Sequence, residues 1–163
     1  MIAIDTNILV YARRGESIHH QKASDLVTRL SEGSAAWAIP WPCIYEYLRV
    51  VTHPRVFTPP TAVEWALEDL AALFESPSLG LLGEGPAHAQ HLARMISEGH
   101  AVGNLAHDAH IAALLIEHGV KEFYSTDRDF RRFPGLRVIH PFEAHLREPA
   151  ARRYRARRPA GIR

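Results

Sequence analysis

Short apolar runs alternate with segments of helical periodicity along most of the chain. The apolar runs have the length of buried strands and cover residues 1–4, 35–39, 79–82, 122–125 and 137–139. Between them, apolar residues recur every three or four positions, which predicts helices over 19–30, 44–51, 61–74, 86–98 and 104–118. Strands that alternate with helices form parallel sheets covered on both faces. We therefore predict a three-layer α/β/α domain whose central, mostly parallel sheet has about five strands.

Glycine, proline and hydroxyl residues mark the predicted ends of several of these elements. Gly33, Gly99 and Gly119 each follow a helical segment and are expected to end it. Pro40 is expected to stop the second strand. Thr61 is followed three residues later by a glutamate, which predicts a capping box at the start of the third of the listed helices.

Length and cysteine content favour one intracellular domain. The 163 residues fit a single core, and one cysteine, Cys43, allows neither an intramolecular disulfide nor a cysteine-based zinc site. The first ten residues lack a basic leader and a small-residue cleavage site. No apolar stretch approaches the roughly 18 residues that a membrane span needs. We expect a soluble, cytoplasmic protein without a membrane partner.

The net charge of +1 hides an uneven distribution along the chain. All 18 acidic residues lie at or before Glu148 with 13 of the 19 basic ones, so residues 1–148 carry a net −5. The last fifteen residues contain six arginines, Arg152, Arg153, Arg155, Arg157, Arg158 and Arg163. Such a segment attracts phosphate backbones or acidic partners, or serves as a solubilising end. We predict a domain over 1–148 and a basic, flexible tail over 149–163.

Two aspartates directly follow predicted strands, where parallel sheets bind their ligands. Asp5 stands where the first strand turns into a helix, and Asp127 follows the fourth strand. A single aspartate at such a position more often caps a helix. Both, however, have hydroxyl or amide neighbours that can orient a carboxylate by hydrogen bonds: Thr6, Asn7, Ser125 and Thr126.

Two more acids interrupt otherwise apolar helical stretches. Glu46 lies in the segment CIYEYL, and Asp108 lies in LAHDAHIA. Aspartate has a low propensity for a helix interior, and a carboxylate near a core is costly unless a cation binds it. Asn104 precedes Asp108 by four residues and therefore shares its helix face. Glu46 taken alone would be an ordinary solvent-facing residue of an amphipathic helix.

A cluster of these four carboxylates is expected to bind a metal cation. Mutual repulsion would raise their pKa values and destabilise the fold unless cations occupied the site. Because a single cysteine cannot make a cysteine-based site and no convincing histidine triad is present, the expected ion is Mg²⁺ or Mn²⁺, which prefer oxygen ligands. Such ions bind phosphates and promote in-line displacement at phosphorus. The residue types thus favour phosphodiester hydrolysis.

Four segments in a fixed order resemble the motifs of the PIN-domain ribonucleases. They are IDTNILVYA, the glutamate in PCIYEYLRVV, NLAHDAHIAAL and YSTDRDF, and they span residues 4–130. More narrowly, the chain resembles the VapC toxins of bacterial toxin–antitoxin pairs, a subset of which has a run similar to HPRVFTPP. The arginine-rich tail is not part of this pattern.

The resemblance implies an activity and a set of site residues. Asp5, Glu46, Asp108 and Asp127 would form the catalytic, metal-binding quartet, and the supporting polar residues would be Thr6, Asn7, Asn104 and Thr126. Asp129 is an extra acid, expected either to cap the next helix or stay a surface charge, or to support the site through water. The implied reaction is Mg²⁺- or Mn²⁺-dependent endonucleolytic cleavage of RNA, with tRNA or rRNA as the expected target. Implied partners are a VapB-type antitoxin and a second copy of the chain in a homodimer.

Basic and aromatic side chains offer further hypotheses about substrate binding. Arg13, Arg14 and Arg128 are close in sequence to the acidic motifs and are candidates for holding RNA phosphates; the alternative is ordinary surface charge. Four aromatic residues near the second strand either stack on bases or belong to the core or a dimer interface: Trp37, Trp41, Tyr45 and Tyr47.

Two alternative functions stay open at this point. One is a PIN-like module that binds RNA or protein and no longer catalyses. The other is an HD-type metal phosphohydrolase built on His107 and Asp108, with His88, His91 and His100 upstream. That fold is all-helical, so the predicted strands argue against it. We expect most of the eleven histidines to be scattered over the surface.

Overall fold

A computed structural model describes residues 1–143, and its centre is a five-stranded sheet. The strands are β1 (Ile2–Ile4), β2 (Trp37–Pro40), β3 (Leu79–Leu82), β4 (Glu122–Tyr124) and β5 (Arg137–Ile139). They lie in the order β3-β2-β1-β4-β5, and every neighbouring pair is parallel. The predicted sheet is confirmed, and its presence rules out the all-helical phosphohydrolase.

Within the described residues, six α-helices cover the sheet. They are α1 (Thr6–Arg13), α2 (His20–Glu32), α3 (Trp41–Val51), α4 (Val63–Phe74), α5 (His88–Glu98) and α6 (Leu105–Glu117), and a 3₁₀ helix follows at Asp129–Arg132. Parallel crossovers are right-handed. The chain runs from β1 to β3 in one direction and returns to β4, so α1–α4 and α5–α6 cover opposite faces. Accordingly, α1 contacts α2 and α3, while α5 contacts α6. This is the predicted three-layer fold.

The core lies on both faces of the central strands. All four residues of β2 are buried, as expected for a strand that helices cover on each side. Trp37 of β2 and Phe123 of β4 are 1% and 0% exposed. Burying an apolar side chain of this size stabilises the fold by about 1.5–3 kcal/mol. These contacts hold the strand ends that carry the acidic residues.

Two predicted element boundaries are wrong. Thr61 does not cap α4: its backbone N–H donates to Val51 O at 2.8 Å, and its hydroxyl accepts from Arg14 Nη1 at 3.1 Å. These tertiary hydrogen bonds take up the groups that a capping box would use. β2 ends at Pro40 as predicted, but α3 begins immediately after it, three residues earlier than predicted.

Two expectations from the sequence concern the outer limits of the molecule. The predicted boundary at residue 148 and the basic tail over 149–163 lie outside the described residues. Within residues 1–143 the longest helices have thirteen residues, and none has the length and apolar character to cross a membrane.

Candidate active site

The four predicted acids line one pocket where the strand order reverses. From β1 the sheet extends to β2 and β3 on one side and to β4 and β5 on the other, so the carboxyl ends of β1 and β4 are adjacent. A pocket of about 300 Å³ opens beside these ends. Its lining includes the side chains of Asp5, Glu46, Asp108 and Asp127. We call this the acidic pocket.

Asp5 is the most deeply held of these carboxylates. It is 4% exposed and accepts hydrogen bonds from Thr6 N at 2.7 Å, Asn7 Nδ2 at 2.5 Å and Ser125 Oγ at 2.6 Å. It also caps α1, as a single aspartate at a strand end often does. Burial raises the pKa of Asp5 to about 7, despite the Ser125 and Thr6 bonds that lower it. The sequence suggested that repulsion from neighbouring carboxylates would raise this pKa. Burial raises the pKa of Asp5 more than that repulsion does.

Glu46 enters the acidic pocket from α3 at its solvent side. Its side chain is about half exposed and pairs with Arg49 Nη2 at 3.2 Å. Thr6 Oγ1 donates to the other carboxylate oxygen at 3.0 Å. Thr6 therefore connects two of the acids, because its backbone N–H binds Asp5 and its hydroxyl binds Glu46.

Asp108 occupies a different place in its helix from the one we expected. It lies in the first turn of α6 rather than in the helix interior, and a negative charge is favourable at a helix N-terminus. The local propensity argument was therefore wrong. What raises the pKa of Asp108 to about 6 is burial, followed by the charges of Asp127, Asp129 and Glu46.

Ser125 connects the two strand ends, although it was not among the predicted site residues. Its hydroxyl donates to Asp5 Oδ2 at 2.6 Å and accepts from Asn7 Nδ2 at 3.1 Å and from the backbone N–H of Asp127 at 2.9 Å. It is 1% exposed. The available signal was its position directly after β4, but its pairing with Asp5 spans 120 residues of sequence.

Replacing Ser125 by alanine is expected to weaken Mn²⁺ binding to the acidic pocket by about 10–100-fold, since partners that orient metal ligands have effects of this size. The change removes the donor on Asp5 and the acceptor for the Asp127 N–H. Calorimetric titration of the purified variant measures the effect. The control is Ser97→Ala on the exposed face of α5. Equal affinities in the two variants would show that Ser125 does not position the carboxylates.

The predicted supporting residues divide into two groups by position. Thr6 and Asn7 line the acidic pocket, and Asn7 Oδ1 accepts from the Thr126 backbone N–H at 3.4 Å. Asn104 and Asp129 do not line the acidic pocket. Asn104 precedes α6 and faces a neighbouring cavity, and the Asp129 carboxylate pairs with an arginine of its own 3₁₀ helix at 3.1 Å. Their supporting roles stay predictions.

The three candidate arginines also differ in their surroundings. Arg13 pairs with Asp69 at 3.3 Å, and the Arg14 guanidinium stacks 4.1 Å from the Phe57 ring centroid. Neither lines the acidic pocket. Arg128 directly follows Asp127 in the chain, and its side chain is 76% exposed. Of the three, Arg128 has the greatest freedom to reach a substrate.

A larger cavity of about 930 Å³ adjoins the acidic pocket, because Glu46 and Asp108 line both. Two of the four aromatic residues, Trp37 and Tyr47, belong to the core. The other two, Trp41 and Tyr45, stack with ring centroids 5.7 Å apart and line this cavity together with Arg49. We call it the aromatic groove.

The acidic pocket fits a divalent cation by the chemistry of its donors. Its four carboxylates supply only oxygen ligands, which Mg²⁺ and Mn²⁺ prefer. Asp5 is buried with the donors around it arranged for an ionised carboxylate, yet its pKa is raised toward neutrality. A bound cation would remove this conflict, because it stabilises the ionised form.

Comparisons with known proteins place the chain in a family. The family model of the PIN domain matches residues 2–136. Ribonuclease VapC48 of Mycobacterium tuberculosis is 38% identical over 138 residues, which cover 85% of this chain and 95% of that protein. Ribonuclease VapC43 of the same organism is 35% identical over 143 residues, covering 88% and 97%.

Solved structures show the same fold at lower sequence identity. VapBC2 from Rickettsia felis, bound to a DNA fragment from its promoter, aligns with a TM-score of 0.62 at 19% identity and covers 85% of this chain and 98% of its own. The Sarcin-Ricin loop cleaving toxin VapC20 of M. tuberculosis aligns with a TM-score of 0.59 at 16% identity, covering 84% and 99%. The chain therefore belongs to the PIN-domain family and, within it, to the group of the VapC proteins.

Proposed function

We propose that this chain is a divalent-metal-dependent endoribonuclease and the toxin of a toxin–antitoxin pair. The observation that carries the proposal is the convergence of four carboxylates from four separate segments on one pocket at the switch point of the sheet. Such crowding destabilises a fold unless a cation is bound, so it is explained by function rather than by stability. Relatives named as VapC ribonucleases, 35–38% identical over nearly the whole domain, support RNA as the substrate.

Asp5, Glu46, Asp108 and Asp127 would hold Mg²⁺ or Mn²⁺. When bound, the ion supplies positive charge that stabilises the phosphorane-like charge developing on the phosphodiester. The chain keeps the ligands in place. Thr6, Asn7 and Ser125 fix the rotamer of Asp5, and Thr6 and Arg49 hold the two oxygens of Glu46. Preorganised ligands of this kind lose little free energy to rearrangement when substrate arrives.

The aromatic groove is the place that we propose for the RNA strand. It opens onto the acidic pocket through Glu46 and Asp108, so a nucleotide in the groove would present its phosphate to the carboxylates. Trp41 and Tyr45 offer surfaces on which bases can stack, and Arg49, 64% exposed, can approach a phosphate. In hydrolysis, water forms the new bond to phosphorus and the bond to the 3′ oxygen breaks, leaving 5′-phosphate and 3′-hydroxyl ends.

Mapping the ends of cleaved RNA tests this proposal. Purified protein is incubated with total RNA and Mn²⁺, and Asp108→Asn serves as the inactive control. We expect cuts at a small number of positions with 5′-phosphate and 3′-hydroxyl ends in the wild type alone. Ends that carry a 2′,3′-cyclic phosphate would contradict hydrolysis by water. RNA binding without any cleavage would favour the non-catalytic module.

We propose two protein partners, a VapB-type antitoxin and a second copy of the chain. Homologous folds solved as VapBC complexes support the first. Several large apolar side chains that are exposed on α4 support an interface with another protein: Val63, Trp65, Leu67 and Phe74. A short gene upstream that encodes a DNA-binding head and a variable tail would identify the antitoxin, and light scattering of the toxin alone measures the dimer.

We also propose that residues 149–163 form a tail that binds RNA through its charge. Deletion of this tail removes six arginines and is expected to lower RNA affinity more than about 10-fold at low salt. The affinity should also depend less steeply on salt. The slope of log affinity against log salt becomes less negative by up to roughly 0.7 for each phosphate contact that is lost on single-stranded RNA. Filter binding over a range of salt concentrations measures both quantities.

A charge-matched variant shows whether the tail acts through its positive charge or through its particular side chains. Replacement of all six tail arginines by lysine keeps the positive charge and should leave the salt slope close to that of the wild type. If the truncated chain keeps the slope and affinity of the full chain, the tail does not contact RNA and the domain alone binds the substrate.

A further inference from the structure

A second group of metal-ligating side chains lies at the aromatic groove and shares no residue with the acidic pocket. Glu84 belongs to the loop after β3, His88 is the first residue of α5, and His110 lies in α6. Each offers one ligand atom, and these three atoms all lie within 4.8 Å of one another. The group joins a loop and two helices that are far apart in sequence. We call it the histidine cluster.

His88 is buried without the hydrogen bonds that a buried imidazole normally makes. It is 8% exposed, and neither ring nitrogen has a hydrogen-bond partner among residues 1–143. Nε2 of His110 also lacks a partner there; Glu84 Oε1 approaches it to 3.2 Å without hydrogen-bond geometry. Buried polar groups without partners are rare in folded proteins, and a bound ion is an explanation that the neighbouring ligand atoms favour here. His88 is thus an exception to the expectation that most histidines lie on the surface.

A carboxylate next to the histidine cluster completes the arrangement. Glu117, at the end of α6, is partly buried, and its Oε2 lies 3.4 Å from Nδ1 of His88. Its two oxygens accept from the backbone N–H groups of Gly85 at 3.1 Å and Ala87 at 2.9 Å. The loop between Glu84 and His88 is therefore fixed before any ligand arrives. Metal-bound histidines commonly have such a carboxylate beside the other ring nitrogen.

We propose that Glu84, His88 and His110 bind a Zn²⁺ ion, with water in the fourth position. Two imidazole nitrogens and one carboxylate oxygen suit Zn²⁺, whereas Mg²⁺ prefers sites made of oxygen alone. The chain would thus have two chemically distinct sites, the acidic pocket for hard ions and the histidine cluster for Zn²⁺. The zinc ion ties the loop after β3 and the start of α5 to α6. Since His110 follows Asp108 by two residues, it also holds the helix that carries this acid.

Zinc titration of the full chain in excess Mg²⁺ tests the proposal, since Mg²⁺ competes for the acidic pocket. We expect one Zn²⁺ per chain, a higher melting temperature, and visible absorption bands of tetrahedral Co²⁺ when cobalt replaces zinc. Glu84→Gln and His110→Asn should each lower zinc affinity at least about 10-fold. The Glu84 side chain is 65% exposed, so this first variant is expected to fold normally.

Matched controls separate the histidine cluster from general surface binding and from the acidic pocket. His91→Gln and Glu98→Gln change the same residue types elsewhere on α5 and should leave zinc affinity unaltered. Asp5→Asn should also keep the zinc site. Wild-type zinc affinity in either cluster variant, or loss of zinc binding in Asp5→Asn, would overturn the proposal. Because binding is measured without RNA, failure of the proposed ribonuclease activity would leave these results unchanged.

Discussion

Replacement of Asp5 by asparagine is expected to lower the rate of RNA cleavage by about 10³-fold or more while the protein stays folded. The change removes one negative charge and one ligand atom from the acidic pocket. A loss of several kcal/mol of transition-state stabilisation corresponds to this factor, at about 1.4 kcal/mol for each power of ten. The fold should survive because asparagine has nearly the same shape and can still accept from Thr6 N. Single-turnover cleavage and circular dichroism measure the two quantities.

The matched control for this variant is Asp25→Asn. Asp25 lies on α2, is exposed, and its carboxylate accepts a hydrogen bond from Gln21 at 2.9 Å, remote from the acidic pocket. Its replacement should leave cleavage unchanged. Asp108→Asn should behave like Asp5→Asn, since both acids line the same pocket. Full activity in purified Asp5→Asn or Asp108→Asn protein would refute the assignment of the quartet.

Stabilisation of the protein by Mn²⁺ should be much larger at pH 8 than at pH 5.5. The pKa of Asp5 is about 7 in the folded state, because burial disfavours its charge, against 3.8 ordinarily. Between these values the folded state binds more protons than the unfolded state. The free energy of unfolding of the metal-free protein therefore falls as pH rises through this window, by about 4 kcal/mol when the loss is complete above pH 7.

A divalent cation reverses this loss because it binds the ionised carboxylates and competes with protons. Melting curves at the two pH values, with and without Mn²⁺, measure the difference. Asp5→Asn removes the titrating group and should flatten the pH dependence of the metal-free protein. Two results together would contradict this explanation. The metal-free wild type would be more stable at pH 8 than at pH 5.5, and Mn²⁺ would raise the melting temperature equally at both pH values.

Local patterns in the sequence were sufficient to predict the fold. Apolar runs such as residues 35–39 could be assigned to buried strands, and their alternation with helices led directly to a parallel three-layer domain. A predicted helix start was wrong where a tertiary contact used the groups that a local hydrogen bond would have used. Thr61 had the sequence of a helix cap, but its hydroxyl accepts from Arg14, 47 residues away.

The candidate site was predictable to a smaller extent. Asp5 and Asp127 follow from the rule that ligands bind at the carboxyl ends of parallel strands. Glu46 and Asp108 lie on helices, and no local feature shows that their side chains reach the same pocket; the resemblance to PIN-domain proteins supplied that expectation. Ser125 could be predicted to orient the nearby Asp127, but its contact with Asp5 depends on the pairing of β1 and β4.

The histidine cluster shows most clearly what local reasoning cannot find. Glu84, His88 and His110 have no motif spacing, since the packing of α5 on α6 and the loop after β3 bring them together. His88 begins a helix, a position typical of exposed residues. Burial and the absence of hydrogen-bond partners within residues 1–143 became visible only in three dimensions.

The central claim is that the acidic pocket cleaves RNA with a bound divalent cation. The most direct test follows the cleavage rate of one defined RNA while free Mn²⁺ is varied in a chelator buffer. We expect no cleavage in the chelator, a saturable rise in rate with Mn²⁺, and no recovery in Asp5→Asn at any Mn²⁺ concentration that saturates the wild type. Cleavage that continues undiminished in the chelator, or that Mn²⁺ restores equally in the wild type and Asp5→Asn, would contradict the claim.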